Sequence, residues 1–118
     1  MNLDEIRDAI RFVSISADSL ADALYETTQR WLSSPAFTRE ELSIALLERQ
    51  DELKECAEME TEDGLKACIL DITQTIAKEL EFPSYADKIG YANKVWTTFI
   101  ENLEHGWKAL KRDLGLVE

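Results

Sequence analysis

The chain has little of what catalytic and metal-binding proteins use. Histidine occurs once, at His105, and the residue three positions before it is Asn102 rather than the glutamate of a helical di-iron motif. No Gly-x-Ser-x-Gly motif or glycine-rich phosphate loop is present, and the 12-residue spacing of Cys56 and Cys68 fits no zinc motif. We therefore predict no catalytic residue, no metal and no cofactor.

Long apolar runs are also missing. No stretch approaches the roughly 20 consecutive apolar residues of a membrane span, and the N-terminus Met-Asn-Leu-Asp-Glu-Ile lacks the basic and apolar segments of a secretory signal. We expect a cytoplasmic protein. Two cysteines are too few for a disulfide framework, and in that compartment they are expected to be thiols that pack as small apolar side chains. Cys56 and Cys68 lie symmetrically about residue 62, so pairing across a hairpin stays open.

Glycine and proline are scarce, and the first proline is Pro35. Up to that point an apolar seam recurs at alternating steps of three and four, which predicts a helix of up to about 30 residues. Ser14 and Ser16 are weak helix formers, so a break near them is open. The seam consists of Leu3, Ile6, Ile10, Val13, Ala17, Leu20, Leu24, Thr27 and Trp31.

Three more helices follow from caps and apolar stripes. Thr38 with Glu41 forms a capping box for the second helix, and Thr61 before Gly64 marks the break before the third. Ser84 with Asp87 is expected to open the fourth. The predicted fold is all-α, one domain over 1–118, an antiparallel bundle of four or five helices with long first and last helices. Inward stripes are Leu42, Leu46, Leu53 and Ala57 in the second helix; Leu65, Cys68, Ile69, Ile72, Ile76 and Leu80 in the third; and Ile89, Ala92, Trp96, Phe99, Leu103, Trp107, Leu110 and Leu114 in the fourth, with Gly90 and Gly106 in its interior and Tyr91 exposed.

Charge is strongly one-sided. The net charge of −11 opposes binding to nucleic acid or anionic membranes, because both attract basic proteins. Acidic residues concentrate in residues 40–63, where ten of them stand against Arg49 and Lys54, a net charge of −8. Residues 83–118 hold five acidic and five basic residues. The segment 40–63 is therefore the expected meeting point with a basic partner.

On a helical wheel, many of these carboxylates share one arc opposite the Leu42–Leu53 stripe, and Ile44 and Met59 project from the same arc. An apolar side chain among carboxylates is the arrangement expected of a charged interface with a central anchor. The alternatives are a solvated outer face and a surface that binds divalent cations. The predicted partner-binding residues are Glu48, Asp51, Glu52, Glu55, Glu58, Met59, Glu62 and Asp63.

The leading functional hypothesis is a non-enzymatic protein-binding module. Small size, acidity and missing catalytic groups are typical of bacterial immunity proteins and antitoxins, which block a basic protein such as a nuclease toxin; the similarity is one of composition alone. One alternative is a secretion or assembly chaperone that binds a partner helix in an apolar groove. Another is a helical-bundle enzyme with an unrecognised site, which an inward cluster of Cys68, His105 and a carboxylate would favour. Homodimerisation through an exposed end of the first helix is also open.

Overall fold

The computed structural model describes residues 1–30, 37–80 and 90–115, and these residues form six α-helices and no strand. The all-helical prediction is confirmed, but the expected number of four or five helices is wrong because two predicted helices are each divided. The longest helix is the last, as predicted, whereas the first is short. The helices are α1 (Leu3–Arg11), α2 (Val13–Gln29), α3 (Arg39–Leu47), α4 (Gln50–Cys56), α5 (Glu62–Glu79) and α6 (Tyr91–Asp113).

The first predicted helix breaks at Phe12, close to the two serines. Phe12 leaves helical geometry with φ −91° and ψ 80°. The buried Ser16 hydroxyl lies 3.1 Å from the carbonyl oxygens of Ile10 and Phe12 and supplies a donor at the break. The apolar seam nevertheless stays on one side, because every member from Ile6 to Thr27 is buried. Trp31 lies outside the described residues.

Helices α3 and α5 begin where local chemistry predicts, whereas α4 begins after a break that the sequence did not predict. The Thr38–Glu41 capping box opens α3, and the Thr61 hydroxyl accepts a hydrogen bond of 3.0 Å from the Gly64 amide at the start of α5. The unpredicted break lies at Glu48–Arg49, and no side-chain cap precedes α4. Leu42, Leu46, Leu53 and Ala57 are all fully buried, which confirms the inward stripe.

The start of α6 differs from expectation. Gly90 is not inside a helix but adopts φ +84° just before Tyr91, a conformation that favours glycine. The side chain of Tyr91 is buried, with its hydroxyl 3.3 Å from that of Thr28, so the prediction that it is exposed is wrong. Leu114 is 54% exposed and does not extend the buried seam. The cap at Ser84–Asp87 and the seam position Ile89 lie outside the described residues.

Helix α2 lies at the centre, in contact with α1, α3, α4 and α6. Small side chains on several of its faces let these neighbours approach, among them the buried Ser19, Ala21 and Ala23. Gly106 marks the tightest approach to α6, because a Cβ atom there would lie 2.7 Å from Ile15 Cγ2. The pair α3–α4 runs antiparallel to α1–α2, since Arg39 pairs with Asp22 near one end and Arg7 bonds the Ala57 carbonyl near the other.

Candidate protein-binding surface

The ten carboxylates of residues 40–63 all lie on the exterior of the molecule, and we call them together the acidic surface. Each of the ten residues is exposed, on α3, between α3 and α4, on α4, in the connection after α4, or in the first turn of α5. Like charges this close repel one another and gain nothing from burial. The structure therefore exposes all ten negative charges to solvent. The members are Glu40, Glu41, Glu48, Asp51, Glu52, Glu55, Glu58, Glu60, Glu62 and Asp63.

Two of the predicted partner-binding residues already have a cationic neighbour in the chain. Glu52 lies 3.2 Å from the Arg49 guanidinium, and Glu58 lies 3.7 Å from that of Arg11. Within the described ranges the other predicted carboxylates, Glu48, Asp51, Glu55, Glu62 and Asp63, form no ion pair. Most of the negative charge is thus uncompensated at short range.

An apolar pair lies within the acidic surface, but it is not the pair that the helical wheel suggested. Ile44 is 57% exposed and Leu47 40% exposed, and their three-residue spacing in α3 makes them neighbours. Glu40, Glu41 and Glu48 flank them on the same side of the helix.

Met59 is exposed as predicted, at 38%, but it belongs to a different part of the surface. The adjoining Glu58 lies against α1, whereas Ser43, beside Ile44, bonds Asp18 of α2. Ile44 lies in α3 and Met59 follows α4, and the break at Glu48–Arg49 divides these two helices. Leu47, rather than Met59, is therefore the exposed apolar neighbour of Ile44. The i,i+3 spacing of these two residues in the sequence is consistent with this arrangement.

The cysteines form a disulfide, so the expectation of free thiols is wrong. Cys56 at the end of α4 is bonded to Cys68 in α5, with Cα atoms 5.6 Å apart. The Thr61 cap turns the chain between them and brings the two helices together as a hairpin, the alternative that their symmetry about residue 62 had left open. The bond ties the acidic α4 to α5.

A groove of about 440 Å³ lies between α4 and α5, on the exposed side of this disulfide. Its walls carry the carboxylates of Glu52, Glu55 and Asp71, with Lys78 as a cationic member. Cys68 and Ile72 also line it. Asp71 lies outside the acidic segment 40–63, so charge counting along the sequence missed it, and only the hairpin brings it opposite α4.

The single histidine lies elsewhere, in a second groove between α2 and α6. His105 and Asn102 line this groove with Asp18 and Asp22, but both carboxylates already have partners on α3. Hydrogen bonding to Asp22 raises the pKa of the Arg39 guanidinium above its ordinary value. His105 and Cys68 thus line different grooves, and the cluster of these two residues that would have favoured an enzyme is not formed.

In the part of the chain that the structure describes, no three His, Cys, Asp or Glu side chains come together as a set that could hold a metal ion. None of the described helices combines the length and hydrophobicity needed to cross a bilayer. No protein-family model, no curated protein and no solved structure matches this chain. Its function is therefore inferred from the surface itself.

Proposed function

We propose that this chain is a non-enzymatic protein-binding module of the immunity-protein or antitoxin type. The acidic surface docks on a basic protein, such as a nuclease toxin, and covers the basic residues which that protein needs. The observation that carries the proposal is the exposed Ile44–Leu47 pair among unpaired carboxylates. A surface that served only solubility would have no reason to expose two adjacent large apolar side chains within its most charged segment.

The carboxylates and the Ile44–Leu47 pair have separate roles in this proposal. Uncompensated carboxylates accelerate encounter with a cationic partner, and their effect weakens as salt screens them. Ile44 and Leu47 supply apolar area that leaves water on contact, and such central contacts commonly dominate the binding free energy. Electrostatics would thus select the partner, and the apolar pair would hold it.

The first test is capture from an extract of the native host, at about 50 mM and about 500 mM salt. The bait is compared with the variant Glu48→Lys, Asp51→Lys, Glu55→Lys. A matched control, Glu26→Lys, Glu101→Lys, Asp113→Lys, makes the same change in net charge at exposed positions outside the acidic surface. Circular dichroism verifies that each variant keeps its helices.

We expect wild type and control to capture the same basic protein at low salt, and the acidic-surface variant to lose it. Inhibition of that protein's activity by wild type, with at least about tenfold weaker inhibition by the variant, would support the proposal. Equal capture by all three proteins at both salt concentrations would contradict it. Such a result would favour the chaperone alternative, in which an apolar groove binds the partner.

The second test examines the apolar pair directly. Ile44→Ser with Leu47→Ser should weaken binding of the captured protein by about 2 kcal/mol or more, roughly thirtyfold, with little effect on the salt dependence. Leu114→Ser, at the exposed apolar residue directly after α6, is the control and should change affinity little. Similar losses in both variants would show that the pair is not an anchor.

A further inference from the structure

The two cysteine residues of the disulfide differ in exposure. Cys56 is fully buried, whereas Cys68 is only partly buried and lines the groove between α4 and α5. A thiolate must approach a disulfide sulfur directly in order to displace its partner. An external thiolate is therefore expected to attack Cys68 Sγ rather than Cys56 Sγ.

Helix α4 depends strongly on this bond. It has seven residues, no side-chain hydrogen bond at its N-cap, and only Leu53 and Cys56 buried. A helix of this length is unstable without tertiary contacts. Its acidic residues Asp51, Glu52 and Glu55 also repel those of the neighbouring segment. Apart from the disulfide, the tethers of this region are the ion pair of Arg49, at the N-cap of α4, with Glu79 of α5, the bond from Arg7 to the Ala57 carbonyl, and the pair of Arg11 with Glu58.

We propose that the Cys56–Cys68 disulfide is a reduction-sensitive clamp on one half of the acidic surface. Reduction by a dithiol releases α4 and residues 57–61, while α3 with Ile44 and Leu47 stays folded. As a regulator of partner binding the clamp rests on the function proposed above, whereas the loosening itself can be measured without any partner.

The redox step balances with a dithiol as the reductant. One thiolate of the dithiol attacks Cys68 Sγ, the Cys56–Cys68 bond breaks, and Cys56 leaves as a thiolate that takes a proton. The second thiol of the reductant then attacks the mixed disulfide and releases Cys68. Two electrons pass to the protein, which gains two thiols, and the reductant becomes a disulfide.

The groove also selects among reductants. Glu52, Glu55 and Asp71 face the entry to Cys68, and Lys78 alone opposes them. A negative field lowers the local concentration of anionic thiolates. A thiol with an ammonium group should therefore react faster, per thiolate, than one with a sulfonate group.

Reduction kinetics test the point of entry. We expect cysteamine to exceed 2-mercaptoethanesulfonate by about tenfold per thiolate at low salt, and the ratio to shrink at about 500 mM salt. The variant Glu52→Gln, Glu55→Gln, Asp71→Asn should reduce that ratio. The control Glu26→Gln, Glu40→Gln, Glu101→Gln, with the same change in net charge, should keep it. Equal rates for both thiols, or equal ratios in both variants, would overturn entry through the groove.

Hydrogen exchange on oxidised and reduced wild-type protein tests the clamp. Amides of residues 50–56 should exchange at least about tenfold faster after reduction, and those of α3 less than about twofold faster. Reoxidation should restore protection, and the variant Cys56→Ala, Cys68→Ala should be insensitive to the reductant. Equal loss in α3 and α4, or loss in neither, would overturn the clamp. Because no partner is present, either result leaves the proposed function to its own tests.

Discussion

The contact between α2 and α6 and the hairpin of α4 and α5 hold together in different ways. Along the first, two long helices approach closely at Gly106, and α6 adds the buried Phe99, Leu103 and Trp107. Along the second, a seven-residue helix adds two buried side chains and a disulfide. The covalent bond thus occurs at a helix that has only two buried side chains and carries three carboxylates.

A surface with many like charges can keep a defined shape when a covalent bond holds it, as the disulfide does here. Exposed carboxylates that lack a cationic neighbour add little stability to the protein, and like-charged pairs at i,i+3 and i,i+4 oppose helix formation. A disulfide compensates by limiting the freedom of the unfolded chain, which needs no additional apolar area. The α2–α6 contact is held by buried apolar side chains together with the hydrogen bond between the Thr28 and Tyr91 hydroxyls.

The largest effect should come from the apolar contact. Phe99→Ala removes a fully buried ring, and we expect the free energy of unfolding to fall by about 3–5 kcal/mol in oxidised protein. Urea unfolding followed by circular dichroism measures this loss. Thr97→Ala, at an exposed position of the same helix, is the control and should change stability by less than about 0.5 kcal/mol. A loss below about 1 kcal/mol would mean that α6 is not part of a close-packed core.

Reduction of the disulfide should cause the second-largest loss in the free energy of unfolding. Closure of a 12-residue separation predicts a loss of about 3 kcal/mol in the free energy of unfolding. Urea unfolding with and without a dithiol measures it, and Cys56→Ala with Cys68→Ala controls for effects of the reagent. The loss should add to that of Phe99→Ala, since the two sites share no direct contact. Identical unfolding curves for oxidised and reduced protein would remove the stabilising role of the bond.

A smaller change in stability is expected on substitution of Gly106, where α6 approaches α2. Gly106→Ala gains about 1 kcal/mol of helix propensity but forces a Cβ against Ile15 Cγ2, so a net loss of about 1 kcal/mol is expected. After Ile15→Ala the same substitution should instead stabilise by about 1 kcal/mol. A double-mutant cycle measures this coupling of about 2 kcal/mol. Additive changes would show that the helices can separate without cost.

The smallest effect concerns the turn of the hairpin. Thr61→Ala removes the hydroxyl that accepts from the Gly64 amide and should destabilise by about 1 kcal/mol. Thr61→Ser keeps the acceptor and should restore most of the loss, as equilibrium unfolding can determine. Equal losses in the two variants would assign the effect to the methyl group rather than to the cap.

The sequence by itself determined the helical class, the caps at Thr38 and Thr61, and most of the buried stripes. These features depend on spacing within a few residues and on local hydrogen bonds, and both can be recognised in one segment. The uneven charge was equally evident, because exposure of ten carboxylates follows from the cost of burying them.

Only the tertiary structure decided the breaks at Phe12 and Arg49, the burial of Tyr91, the Cys56–Cys68 bond and the groove that joins Asp71 to Glu52 and Glu55. It also replaced Met59 by Leu47 as the neighbour of Ile44. Each of these outcomes depends on which residues from distant segments meet. Tyr91 is buried where α6 meets α2, with its hydroxyl beside that of Thr28, and Asp71 lies opposite Glu52 and Glu55 because the hairpin brings α5 beside α4. Local periodicity carries no information about contacts between distant segments. The shape of the candidate surface was therefore known only once the tertiary structure was available.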